Sequence, residues 1–198
     1  MLNLPNILSF ARILVIPVFV VVFYLNASWG HPAAAIIFTL ACITDWLDGY
    51  LARSLKQATK FGAFLDPVAD KLMVSAALVM IVAEPQFQTL YLHSSIIHIP
   101  AFMIAVPAAI IVSREILVSS LREWMAEIGK RTSVVVSRVG KIKTTVQMIA
   151  LIVMIYCGPK TEAFFTIIGY FLLYIAAILT VWSMIIYLRA SWPEFEAQ

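Results

Sequence analysis

Long apolar runs separated by short polar breaks set the rhythm of this chain. A helix needs about 20 mostly apolar residues to cross a bilayer. Six runs meet or approach that length, at about 7–25, 32–53, 61–83, 96–111, 134–157 and 163–188. The first opens with Asn3-Leu4-Pro5-Asn6, which reads as a short interfacial lead-in. The fourth continues as a more polar helix to about residue 128. Connections are short, and no linker, low-complexity tract or internal repeat stands out. The pattern predicts an all-α integral membrane protein with six transmembrane helices and a short N-terminal interfacial segment, in a single domain over 1–198.

Composition strengthens that reading. The 198 residues are 62% hydrophobic and only 13% charged, too apolar for a water-soluble domain. Cys42 and Cys157 both lie in apolar runs and suggest neither a disulfide framework nor a zinc spacing. The start MLNLPNILSF has no basic stretch before its apolar run, so the first hydrophobic segment is read as retained.

The net charge of +3 is small, and its placement is more informative. Arg53, Lys56, Lys60, Arg122, Lys130 and Arg131 fall between spans two and three or four and five, with Arg138, Lys141 and Lys143 just beyond. The opposite segments, 26–31, 84–96 and 158–162, carry only Lys160. The positive-inside rule then puts both termini and both basic loops in the cytoplasm, in a multi-pass protein of the cytoplasmic (inner) membrane. Trp29, Tyr91, Trp124, Trp182, Tyr187 and Trp192 fall near span ends and read as interfacial anchors. His31, His93 and His98 lie towards the outer side and read as surface residues.

The polar exceptions cluster. All four aspartates of the chain, Asp45, Asp48, Asp66 and Asp70, lie where spans two and three meet the cytoplasmic side. Carboxylates beside a bilayer are costly and are retained for a purpose. Asp45 and Asp48 are three apart and Asp66 and Asp70 four apart, so on helices each pair shares one face. Two such faces opposed make an oxygen-lined cage suited to Mg²⁺ or Mn²⁺. Without a cation the carboxylates would repel one another. Asp66 can also cap a helix, since Pro67 follows at a good first helical position.

The arrangement Asp45-x2-Asp48-Gly49-x2-Ala52-Arg53-x8-Gly62-x3-Asp66-x3-Asp70 resembles the signature of the CDP-alcohol phosphotransferases at every fixed position. Eight fixed positions at roughly one in twenty each give chance odds of about one in 10¹⁰ per start site, which sets coincidence aside. REILVSSLRE followed by GKIKTTVQ, and the opening NLPNILSFARILVIPVF, resemble the phosphatidylglycerophosphate synthase branch of that family. The resemblance covers most of the chain. It implies transfer of the phosphatidyl group of CDP-diacylglycerol to sn-glycerol 3-phosphate, with release of CMP, by a homodimer using two divalent ions. Asp45, Asp48 and Asp66 are then metal ligands, and Asp70 is both ligand and general base. No nucleic-acid partner is expected.

Around the aspartates, Gly49 lets a diphosphate approach the helix backbone, and close helix packing is its competing explanation. Ala52 leaves room for the cytosine ring. Arg53, one turn beyond Gly49, offers a planar fork to phosphate oxygens or anchors the span end. Thr44 is placed to hydrogen-bond a nucleotide phosphate or to support a metal ligand. Gly62 reads as a close contact between spans two and three. A second basic set, Arg114, Arg122, Lys141 and Lys143, is expected to meet the acceptor's phosphate. Arg114 stands out because Ile110, Ile111, Leu117 and Val118 flank it, and a cation there should face a cavity or a partner. Two other functions compete. One is the same chemistry on another alcohol: inositol phosphate, serine or phosphatidylglycerol. The other is a divalent-cation or proton-coupled transporter, which should carry polar residues through to the outer face.

Overall fold

The computed structural model of the protein describes residues 4–54, 60–92, 95–129, 138–158 and 161–196. Six α-helices follow in order: α1 Leu4–Phe23, α2 Gly30–Ser54, α3 Lys60–Ala83, α4 Phe102–Glu127, α5 Arg138–Tyr156 and α6 Ala163–Glu196. Three are long and apolar enough to cross a bilayer by length and composition, over Asn6–Phe23, Phe102–Glu127 and Ala163–Trp192. Shorter apolar stretches occupy Gly30–Asp45 in α2 and Ile142–Tyr156 in α5. The chain is a helical, multi-pass membrane protein.

The outer surface agrees. Leu14, Val18, Val21, Val79, Phe171, Ile178 and Trp182 are each more than half exposed. Such a ring would be a liability in water and is the expected face towards lipid tails. Inside, Phe19, Phe38, Ala77, Ile81, Ile104, Ile111, Leu151, Met154 and Leu173 are fully buried and bind the helices into one core. Phe19 and Phe38 join α1 to α2 with ring centroids 5.8 Å apart. Gly169 lets α6 approach α5, because a Cβ there would meet the Met154 side chain at 2.7 Å. Gly129 has φ +75°, the left-handed conformation that closes α4 just past its C-cap Ile128.

The two ends of the bundle are held differently. At one end, side chains grip backbone carbonyls: Tyr170 on Phe87, Tyr174 on Met103, Gln86 on Cys157, and the His31 ring on Ile155. At the other end, charged and hydroxyl side chains meet one another. The first turns of α1, α3 and α5 and the last turns of α2, α4 and α6 gather there, as alternating up-and-down helices require.

Three sequence expectations change. The chain is not purely helical: Thr89–Leu92 and Ser95–His98 pair as antiparallel strands β1 and β2, with Thr89 opposite His98. Ser95 to Ile99 is rich in β-branched residues, and Pro100 cannot donate to a ladder, so the apolar run beginning near 96 starts as a strand. The fourth helix therefore begins at Phe102. The N-terminal lead-in is not a separate segment either. α1 starts at Leu4 with Pro5 in its first turn, where a missing N–H costs nothing, and Asn6 is buried. Finally, Tyr187 is 2% exposed and is no interfacial anchor, whereas Trp29, Trp182 and Trp192 are exposed. His31 and His98 lie at the end opposite the aspartates; His93 lies outside the described residues.

Candidate active site

Asp45 sits in the last turns of α2, and Asp66 and Asp70 in the first turns of α3. All three are half-buried, and Asp45 and Asp70 repel each other across the gap between the helices. The first half of α1 answers them. Arg12 Nη1 donates to Asp45 Oδ1 at 2.6 Å, and the Ser9 hydroxyl donates to Asp66 Oδ1. Asn6, Ser9 and Arg12 are three apart and all buried, forming a polar stripe on an otherwise apolar helix. The Arg12 side chain is 2% exposed, so its charge is held inside the bundle by what it faces.

The described carboxylates fit a hard divalent ion by donor chemistry and by charge. Their oxygens suit Mg²⁺ or Mn²⁺, and Arg12 matches only part of their negative charge. Among the described residues no three His, Cys, Asp or Glu side chains close around one point. The Asp48 side chain, the remaining member of the predicted set, lies outside the described residues, as do the side chains of Ala52, Arg53 and Lys141 and any detail of Gly49. Thr44 turns its hydroxyl back onto its own helix, donating to the Ala41 carbonyl at 2.9 Å. Gly62 is buried in α3, consistent with close helix packing.

Beside Asp70 opens a cavity of about 390 Å³ between α3, α4, α5 and α6. That volume falls among those typical of small-molecule sites. Three of the four predicted acceptor-site cations, Arg114, Arg122 and Lys143, line it together with Asp70. Lys71 and Glu115 line it too, so four cations face two carboxylates and the cavity carries surplus positive charge.

Each cation is fixed in place. Glu115 accepts from Lys143 and, at 3.3 Å, from Arg114 Nη1. Arg114 Nη2 donates to the Ser183 hydroxyl of α6 at 2.7 Å. Lys71 donates to the Ser119 hydroxyl. Arg122 donates to the Tyr187 hydroxyl at 2.9 Å, and its guanidinium and that of Arg114 lie 5.2 and 5.5 Å from the same ring. Arg114 and Lys143 are 8% and 2% exposed, too deep to be surface anchors for lipid headgroups.

Sequence reading missed Ser9, Arg12, Glu115, Ser183 and Tyr187. The signal for the first two was there: polar residues at 6, 9 and 12 recur at helical spacing on an apolar segment. Ser183 and Tyr187, four apart on α6, carry no comparable mark.

Known proteins share this pattern along nearly the whole chain. Residues 2–182 match the family model of the CDP-alcohol phosphatidyltransferases. A relative from Sodalis glossinidius is 50% identical over 190 residues, covering 96% of this chain and 95% of its own. One from Pectobacterium atrosepticum is 51% identical over 189 residues, covering 96% and 94%. One from Pseudomonas fluorescens is 46% identical over 196 residues, covering 98% and 93%. All three are described as CDP-diacylglycerol–glycerol-3-phosphate 3-phosphatidyltransferases. With the aspartate signature on α2 and α3 and a family match over most of its length, the chain belongs to the CDP-alcohol phosphatidyltransferase family.

Proposed function

We propose that the protein transfers the phosphatidyl group of CDP-diacylglycerol to sn-glycerol 3-phosphate, forming phosphatidylglycerophosphate and CMP. One observation carries the choice of a phosphate-bearing acceptor: Asp70 of the signature shares a single cavity with Arg114, Arg122 and Lys143. An acceptor bearing a phosphate dianion needs such a cluster, because it must approach a donor that is itself a diphosphate. An uncharged alcohol would not.

The chemistry is displacement at phosphorus. The acceptor's primary hydroxyl oxygen forms a bond to the phosphatidyl phosphorus as the bond to the CMP oxygen breaks. Asp70 takes the hydroxyl proton as general base. Asp45, Asp48, Asp66 and Asp70 would hold two Mg²⁺ or Mn²⁺ ions, which when bound neutralise the donor diphosphate. Arg53 and the open backbone at Gly49 contact that diphosphate, Ala52 leaves room for the cytosine ring, and Thr44 stands beside the ligand set. Arg114, Arg122 and Lys143 receive the acceptor phosphate, with Lys141, two residues before Lys143 on α5, as the fourth member of the set. Arg12 and Ser9 hold Asp45 and Asp66 in orientation from behind.

All six helices span the inner membrane, with the site and both termini at the cytoplasmic face, where acceptor and CMP are soluble. Clustering of the basic loops on the aspartate side supports that orientation. The family resemblance supports a homodimer. The test is CMP release by purified protein given CDP-diacylglycerol and, separately, sn-glycerol 3-phosphate, inositol phosphate, serine and phosphatidylglycerol. Release with sn-glycerol 3-phosphate alone is expected. Release with another acceptor and none with glycerol phosphate would overturn the assignment.

A further inference from the structure

Two residues that line the cavity each carry a buried side-chain polar atom with no hydrogen-bond partner among the described residues: Arg114 Nε and Gln147 Oε1. Both residues are more than nine-tenths buried, Gln147 at 1% and Arg114 at 8% exposure. The hydrogen bonds of Arg114 to Glu115 and Ser183 use its two terminal nitrogens and leave the Nε–H unanswered. Gln147 lies one helical turn beyond Lys143 on the same face of α5, deeper in the bundle. Leaving a donor and an acceptor buried and unanswered costs free energy, and such atoms are rare in native interiors. An alcohol hydroxyl has the chemistry to answer both, accepting from the one and donating to the other.

We propose that Gln147, together with the Arg114 Nε–H, reads the middle hydroxyl of the acceptor and makes Gln147 a specificity-determining residue. This rests on the acceptor reading above. Glycerol phosphate has three functional positions. Its phosphate goes to the cation cluster and its reacting hydroxyl to Asp70, both of which line the same cavity. The secondary hydroxyl remains, and the two unanswered atoms are the groups left to meet it. A site built to hydrogen-bond a hydroxyl discriminates against the analogue lacking it, because the analogue leaves the site's polar atoms unpaired.

The test compares kcat/KM for sn-glycerol 3-phosphate with that for 3-hydroxypropyl phosphate, which lacks only the middle hydroxyl. Wild type should prefer glycerol phosphate by about tenfold to a hundredfold, the equivalent of one buried hydrogen-bond pair. Gln147→Met, similar in volume and without the amide, should lose that preference, mainly by losing activity on glycerol phosphate. Gln147→Glu, which keeps an acceptor oxygen, should retain the preference even if both rates fall. The proposal is overturned if wild type uses the two acceptors equally, if Gln147→Met lowers both rates in parallel, or if Gln147→Glu loses the preference. If Gln147→Met does not fold, Gln147→Leu read on the same two acceptors takes its place, with the same loss of preference expected. If wild type uses neither acceptor, the acceptor reading itself fails and this inference falls with it, an outcome distinct from loss of discrimination alone.

Discussion

The Arg12–Asp45 ion pair should be lopsided in its contribution to stability. Its nitrogen and oxygen are 2.6 Å apart, but the Arg12 side chain is 2% exposed and that of Asp45 41%. Arg12→Gln leaves a carboxylate that water can reach, so the loss is that of one charge-assisted hydrogen bond, about 1–2 kcal/mol. Asp45→Asn removes the hydrogen-bonded one of the negative charges that a buried guanidinium meets, Asp70 being another. Breaking a buried pair from that side costs about 3–5 kcal/mol. Relief of the repulsion between Asp45 and Asp70 offsets part of this, which puts the expected loss near the bottom of the range, about 3 kcal/mol. At about 2–4 °C per kcal/mol for a chain of this size, Asp45→Asn should lower the unfolding midpoint by about 6–12 °C and Arg12→Gln by about 2–8 °C. The double variant should fall short of the sum by at least about 1 kcal/mol, since each single change has already broken the shared contact. The assay is thermal unfolding in detergent, followed by tryptophan fluorescence with chelator present so that ion binding contributes nothing. A larger loss for Arg12→Gln than for Asp45→Asn, or simple additivity, would refute the reasoning.

Three further outcomes are expected. Chelator should abolish CMP release, Mg²⁺ or Mn²⁺ should restore it, and added Mn²⁺ should raise the unfolding midpoint of the wild type; full turnover in chelator would remove the ions from the mechanism. Asp70→Asn should lower kcat by about 10²–10⁴-fold while nucleotide-lipid binding survives better, since the oxygen stays and the base is lost. Near-normal kcat in that variant would move the base elsewhere. Arg114→Ala and Lys143→Ala should each raise KM for glycerol phosphate by roughly 10–100-fold and leave donor affinity much less changed, with Arg53→Ala showing the reverse. Unchanged acceptor kinetics would reduce these residues to structural partners of Glu115.

The aspartates were legible because charge is scarce in this chain, and four carboxylates at helical spacing have few uses beside a bilayer. Arg114 was legible for the same reason. Asn6, Ser9 and Arg12 were harder to read, because polar residues at the start of a span look like an interfacial lead-in until the neighbouring helices are in place. The run from Ser95 to Ile99 is apolar enough for either strand or helix, and periodicity over five residues cannot choose between them. Tyr187 and Gln147 carry no mark in the sequence that sets them apart from their neighbours. Their value lies in what stands opposite them, Arg122 in one case and an open cavity in the other, and that is settled by packing.

The buried arginine of α1 also bears on how the protein is made. Asp45 follows Arg12 by 33 residues, so the first helix leaves the ribosome before its counter-charge does. A lone arginine at the centre of a membrane helix costs about 2.5–3.5 kcal/mol on insertion scales. Arg12 is only two turns from the start of α1 at Leu4, close enough for its long side chain to reach the headgroups while it waits. It leaves that refuge once the end of α2 arrives. The first two helices are therefore expected to settle into the bilayer as a hairpin, with lateral withdrawal of one cation from the lipid surface as the closing step.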